Sequence, residues 1–203
     1  MKLGIYGGTF APIHNAHVRV AKAFYNALDL DKLLIIPAGI PPHKQIADDD
    51  LPEKRLHMCQ LAFDGCDGIE ISDMELKREG KSYTVMTLRE LSNENIDIYM
   101  LCGTDMILTF DQWFCFEEIF RLCTLVYVRR ENDPEITEKI REKVDTFRSK
   151  HGARIIELAS ETLEMSSTEI REAVKRREDI SALVPSRVAE YIKKNRLYGG
   201  QYD

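Results

Sequence analysis

Two histidines three residues apart, His14 and His17, follow a glycine-rich stretch, Gly7-Gly8-Thr9-Phe10, near the start of the chain. Imidazoles at that spacing on a helix start can face one anion together, donating hydrogen bonds and, when protonated, adding positive charge. Paired glycines let the backbone turn tightly and approach a phosphate with no Cβ in the way, and a helix beginning near His17 adds free N–H groups. The combination reads as a phosphate cradle, with a merely structural turn as the competing reading. It matches neither GxGxxG nor GxxxxGK followed by Ser or Thr, which removes the main support for a dehydrogenase or a P-loop nucleotidase. Zinc is another use for two histidines, but no third ligand stands at a recognisable spacing and HExxH is absent.

A second group of donors comes late. Ser166-Ser167-Thr168-Glu169-Ile170-Arg171 opens a helix with hydroxyls, a capping-box glutamate and an arginine one turn further on. It is either simply a well-capped helix or an anion site, in which N–H groups and hydroxyls converge on a polyphosphate beside the forked charge of Arg171.

The elements that must position these groups are legible from apolar periodicity. Leu3 to Tyr6 reads as a short buried strand ending in a Gly-Gly turn, and Val18 to Leu28 has helical spacing. Leu33 to Ile36 is a continuous apolar run stopped by Pro37, as expected of a strand covered on both faces. Pro41 to Asp50 reads as an exposed connection, and Pro52 suits the first position of a helix. Further strands are expected near Ile69-Ile71, Ile96 to Leu101, Leu125 to Val128 and Arg154 to Leu158. Helices are expected at Tyr83 to Leu91 and Ile136 to His151, with two more closing the chain. Such alternation predicts an α/β fold: a doubly wound, mainly parallel, Rossmann-like sheet with helices on both faces, in one domain spanning 1–203. Ligands of such sheets bind beyond the carboxyl ends of the strands, where Gly7 to His17, Pro41 to Lys44 and Gly103-Thr104-Asp105 all fall.

Composition narrows the function classes. The 203 residues carry a formal net charge of -6, which argues against a nucleic-acid partner held by a basic face. Five cysteines, with no CxxC pair and an odd count, predict a reducing cytoplasmic setting. No apolar run approaches membrane-span length, so no membrane partner is expected.

Taken together, the GGTF-x-P-x-H-x-x-H start and the late Ser-Ser-Thr-x-x-Arg closely resemble the HxGH nucleotidyltransferase superfamily. Within it, Ile36-Pro37-Ala38-Gly39 leading to Pro41-Pro42-His43-Lys44, then Ser82-Tyr83-Thr84, Gly103-Thr104-Asp105 and Trp113, look like the bacterial nicotinate-mononucleotide adenylyltransferases. The similarity covers nearly the whole chain. It implies that the phosphate of nicotinate mononucleotide attacks the α-phosphorus of ATP, giving nicotinate adenine dinucleotide and pyrophosphate. It also implies Mg²⁺ accompanying ATP, with no metal cage built by the protein.

By the same resemblance, His14, His17 and Arg171 would do the catalytic work on the phosphates. Gly7, Gly8, Thr9, Phe10, Gly103, Asp105, Ser166, Ser167 and Thr168 would bind ATP. Lys44, Tyr83, Thr84, Trp113 and Arg130 would bind the mononucleotide, Trp113 by stacking on the pyridine ring. Taken singly, Asp105 reads as a helix N-cap, Trp113 as core, and Lys44 and Arg130 as solvated loop charges. Two positions depart from the family pattern: Ala11 stands where Asp is common, and Ala16 where the signature has Gly. Phosphopantetheine adenylyltransferase and a nucleotide-binding sensor without turnover are the alternatives, and a homo-oligomer is left open.

Overall fold

A computed structural model describes residues 1–41, 51–128, 133–159 and 165–199. Its strands are β1 (Lys2–Gly8), β2 (Lys32–Pro37), β3 (Ile69–Ile71), β4 (Asp97–Gly103), β5 (Thr124–Val128) and β6 (Ile155–Leu158). They form one sheet in the order β3-β2-β1-β4-β5-β6. The helices are α1 (Asn15–Ala27), α2 (Pro52–Ala62), α3 (Met74–Lys77), α4 (Thr84–Leu91), α5 (Thr104–Thr109), α6 (Phe116–Leu122), α7 (Pro134–His151), α8 (Ser167–Lys175) and α9 (Ser186–Lys194). This is the expected parallel sheet with helices on both faces. Its order reverses between β1 and β4, the kind of switch point beyond which such sheets bind ligands.

The strand sequences explain the sheet. Leu3, Ile5, Ile98, Met100, Leu101, Leu125 and Val126 are all buried, so consecutive residues are covered whichever face they point to. The parallel register pairs Leu3 with Ile98 and Ile5 with Met100, then Met100 with Leu125 and Leu101 with Val126.

Two expected boundaries are corrected. β1 does not end at a Gly-Gly turn; it runs through Gly8, and neither Gly7 nor Gly8 has positive φ. The turn comes later, with Phe10 in the left-handed region at φ 52°. α1 begins at Asn15 rather than near His17, because the histidines themselves cap it, as described below.

The chain's contacts group into two compact units, Met1–Gly7 with Val20–Leu34 and Tyr83–Leu163, and Gly8–Arg19 with Ile35–Ser82 and Glu164–Asp203. Each has its own core. In the first, the rings of Phe110, of Phe120 on α6 and of Phe147 on α7 form a cluster with centroids 5.1 to 6.2 Å apart, Phe110 stacked on Phe120 and edge-on to Phe147. In the second, Ile13, Met58, Cys59, Ile170, Val174, Val188 and Ile192 are essentially excluded from water.

Candidate functional site

The segment leaving β1 is shaped by side chains as much as by glycine freedom. A Cβ on Gly8 would lie 2.8 Å from the Phe10 ring, so this position must be glycine for the aromatic ring to fold back. Phe10 is buried and meets His17 edge-on, with ring centroids 5.2 Å apart. Gly7 stays exposed, and Gly8 and Thr9 half-buried.

His14 and His17 form a capping box made of imidazoles. The His17 N–H donates to His14 Nδ1 at 3.4 Å, and the His14 N–H donates to His17 Nδ1 at 3.3 Å, while the rings stack at 3.6 Å. Two orphan N–H groups of the α1 start are thereby satisfied reciprocally. A neutral imidazole that accepts at Nδ1 carries its proton on Nε2, so this geometry assigns both rings as Nε2 donors. His14 is buried and His17 half-buried.

The start of α8 is tied to the same segment. Ser166 and Glu169 make a capping box, with the Glu169 N–H donating to Ser166 Oγ at 3.1 Å and the Ser166 N–H to the Glu169 carboxylate at 3.0 Å. The Ser166 hydroxyl also donates to Glu169, so its side chain is engaged within the cap. Beyond the cap, Ser167 Oγ donates to the Pro12 carbonyl at 3.0 Å. Arg171 Nη1 donates to the Ala11 carbonyl at 2.7 Å, and Nη2 to Thr168 Oγ1 at 3.1 Å. His14, His17, Ser167, Thr168 and Arg171 are thus gathered on the 11–17 segment. Arg171 uses the backbone of Ala11, so the change from a family aspartate leaves this tie intact.

A further residue holds the segment and was missed by motif reading. Arg55, fully buried in α2, donates to the carbonyl of Thr9 at 2.8 Å and to that of Gly39 at 3.1 Å. The sequence carried little signal for it: α2 has no clear apolar stripe, and the partners of Arg55 are backbone carbonyls on distant loops.

In the other unit, β4 delivers Gly103 and the first turn of α5. Gly103 is the N-cap, so Asp105 is not a cap; it lies in the first turn with its side chain exposed. Tyr83 precedes α4 without a side-chain cap, which leaves Thr84 at the helix start. Trp113 is half-buried and stacks on buried Phe110, with centroids 4.8 Å apart and planes at 21°, so it is neither wholly core nor wholly exposed. Tyr83 lies 4.9 Å from the ring of exposed Phe114. Arg89 of α4 grips Glu118 of α6 through both nitrogen–oxygen pairs, at 2.7 and 2.6 Å, and its hydrogen bonds hold the Glu118 carboxyl below its usual pKa. Lys44 and Arg130 lie outside the described residues. Among the described residues, no group of three or more His, Cys, Asp or Glu side chains is placed to hold a metal ion, and no helix is long and apolar enough to cross a membrane.

Known proteins resolve the class of this arrangement. The Cytidylyltransferase-like family profile matches residues 5–173, so the fold and the histidine segment define a nucleotidyltransferase of that class. A protein of Clostridium tetani named "probable nicotinate-nucleotide adenylyltransferase" is 38% identical over 202 residues, covering 97% of this chain and 98% of the relative. One of the same name from Fusobacterium nucleatum is 36% identical over 200 residues, covering 97% and 100%. Among solved structures, nicotinic acid mononucleotide adenylyltransferase of Plasmodium falciparum complexed with NaAD shares the fold. Its TM-score is 0.77 at 20% identity, covering 100% of this chain and 99% of that one. The chain belongs to the nicotinate-nucleotide adenylyltransferase family.

Proposed function

We propose that this protein transfers AMP from ATP to nicotinate mononucleotide, releasing pyrophosphate and forming nicotinate adenine dinucleotide, a step of NAD biosynthesis. The observation that carries this reading is the joining of α8 to the 11–17 segment by Arg171 and Ser167, which gathers two imidazoles, two hydroxyls and a guanidinium in a chain of this family. An oxygen of the mononucleotide phosphate attacks the α-phosphorus, and the bond to the bridging oxygen of the β-phosphate breaks as pyrophosphate leaves. That nucleophile is already ionised at neutral pH, so the work of the protein is alignment and neutralisation of charge rather than strong base catalysis.

His14 and His17 donate from Nε2 to the phosphates, and Arg171 with Ser167 and Thr168 holds the triphosphate. Gly7 and Gly8 let the backbone approach the ATP phosphates, Thr9 and Phe10 line the junction between the two substrates, Gly103 and Asp105 take the adenosine, and Tyr83, Thr84 and Trp113 take the pyridine ring and its carboxylate. Lys44 and Arg130 complete the mononucleotide subsite. Magnesium fits as the counter-ion of ATP: the side chains gathered around the 11–17 segment are donors and cations, so a hard cation would take its ligands from phosphate oxygens and water. When bound, it neutralises triphosphate charge. Five free thiols suit a cytoplasmic setting.

The test is pyrophosphate release by purified protein with ATP, Mg²⁺ and, separately, nicotinate mononucleotide, nicotinamide mononucleotide or phosphopantetheine. Release with nicotinate mononucleotide is expected to be the fastest. Fastest release with phosphopantetheine would move the substrate assignment, and none with any acceptor would leave a binding protein.

A further inference from the structure

We propose that Arg55 is a positioning residue for this reaction, a buried clamp that sets the β1 and β2 exit loops against each other. The inference rests on the reading above that phosphate chemistry takes place along the β1 exit. The two loops already touch through one backbone bond, from the Ala38 N–H to the Gly8 carbonyl at 2.9 Å. Arg55 adds a second link one residue further out on each strand, through Thr9 and Gly39. Only a planar fork with separate N–H groups on Nη1 and Nη2 reaches two carbonyls on different loops in fixed directions; a lysine ammonium is a single point donor. The guanidinium has no solvent exposure, so displacing either loop would take a carbonyl acceptor away from a buried N–H group that water cannot reach. That penalty makes the arrangement stiff.

Gly39 is held from two further sides. Its N–H donates to buried Ser82 Oγ at 2.9 Å, and the Ser82 N–H donates to the Ile40 carbonyl at 2.8 Å. A Cβ on Gly39 would lie 2.5 Å from the Glu75 carbonyl oxygen, so the loop is pressed against α3 with no room to move that way. With Gly39 fixed, Arg55 transmits that fixity to Thr9, whose peptide plane leads directly into Phe10 and the histidine segment. The amide planes of Thr9–Phe10 and Gly39–Ile40 are therefore set by a side chain that reaches neither substrate.

The test uses Arg55→Lys and Arg55→Gln in the full chain, with hydrogen exchange read by mass spectrometry alongside kinetics. Both variants are expected to fold cooperatively and to exchange faster over residues 7–13 and 38–41, with α8 and α9 protected as before. Turnover should fall about 10- to 100-fold, the size of effect produced by a displacement of about 1 Å. The dissociation constant of a non-hydrolysable ATP analogue should change much less than turnover. Unchanged turnover, faster exchange spread evenly over α2, α8 and α9, or failure of both variants to fold would each overturn the proposal, the last two by making Arg55 a general support of the fold. If the unaltered protein releases no pyrophosphate with any acceptor, the activity reading fails, and the exchange pattern alone decides the role of Arg55.

Discussion

Replacing His17 by alanine removes two groups at once, the Nδ1 acceptor that caps the His14 N–H and the Nε2 donor proposed to reach the phosphates. The two losses have different sizes and different readouts. Loss of a cap costs about 1 kcal/mol, which lowers the melting temperature by about 2–4 °C in a chain of this length. Loss of a preorganised donor to a transition-state oxygen costs about 100-fold or more in turnover. His17→Ala is therefore expected to melt a few degrees lower while losing most of its pyrophosphate-releasing rate. Parallel small losses in both would make His17 a cap only. The assignment of donors at His14 and His17 was visible in their three-residue spacing, but the reciprocal capping was not. It depends on both rings lying on one side of the α1 start, which a spacing allows without requiring.

At the scale of elements, α8 does two jobs with adjacent residues. Ser166 and Glu169 stop the helix from fraying, while Ser167 and Arg171 reach the 11–17 segment and Thr168 accepts from Arg171. Glu169→Ala breaks one half of the capping box and, of the residues assigned to ATP, touches only Ser166, whose hydroxyl is engaged within the cap. It should cost about 1 kcal/mol of stability, or about 2–4 °C of melting temperature, with turnover at saturating substrate unchanged. A large loss of turnover in a well-folded Glu169→Ala protein would show that the cap sets the aim of Arg171 as well as the end of the helix. The Ser-Ser-Thr-Glu-Ile-Arg string offered a cap and an anion site as rival readings. The structure gives the cap to Ser166 and Glu169, and directs the next hydroxyl and the guanidinium to carbonyls 155 and more residues earlier. A single helix cannot reveal such distant partners.

For the whole molecule, the distribution of thiols makes an independent check on the fold. Cys59, Cys102 and Cys123 are buried, Cys66 is intermediate and Cys115 is exposed. Burial pushes the Cys59 thiol well up and the Cys123 thiol up to about 12. Only thiolates react quickly with a disulfide reagent. At pH 8 the native protein should therefore label rapidly at Cys115, slowly at Cys66, and at the other three only on unfolding; early labelling of Cys59 or Cys123 would contradict the packing. The sign of the pH effect follows from the same shifts. An unfolded thiol ionises near about pH 8.5–9 whereas Cys123 stays protonated to about 12, so its contribution to stability is complete below about pH 8.5 and is lost as pH rises through 9 to 12. Urea midpoints should fall over that alkaline range, and less steeply in Cys123→Ala.

The sequence alone determined the α/β alternation, the histidine segment, the late serine-threonine-arginine string and, through their order along the chain, the family. These are local matters: strand runs, helix periods and loop composition are written in neighbouring residues, and motif order needs no coordinates. The tertiary structure decided what depends on residues meeting across long stretches of chain. It placed the turn at Phe10 instead of at the paired glycines, because Gly8 must leave room for a ring folding back on it. It made Arg55, an ordinary helix arginine in sequence, a fully buried clamp on two loops. It also showed the Ala11 carbonyl holding Arg171 where the sequence registered only a missing carboxylate. Backbone carbonyls are the same at every residue, so a site held together by them leaves almost no mark on the sequence.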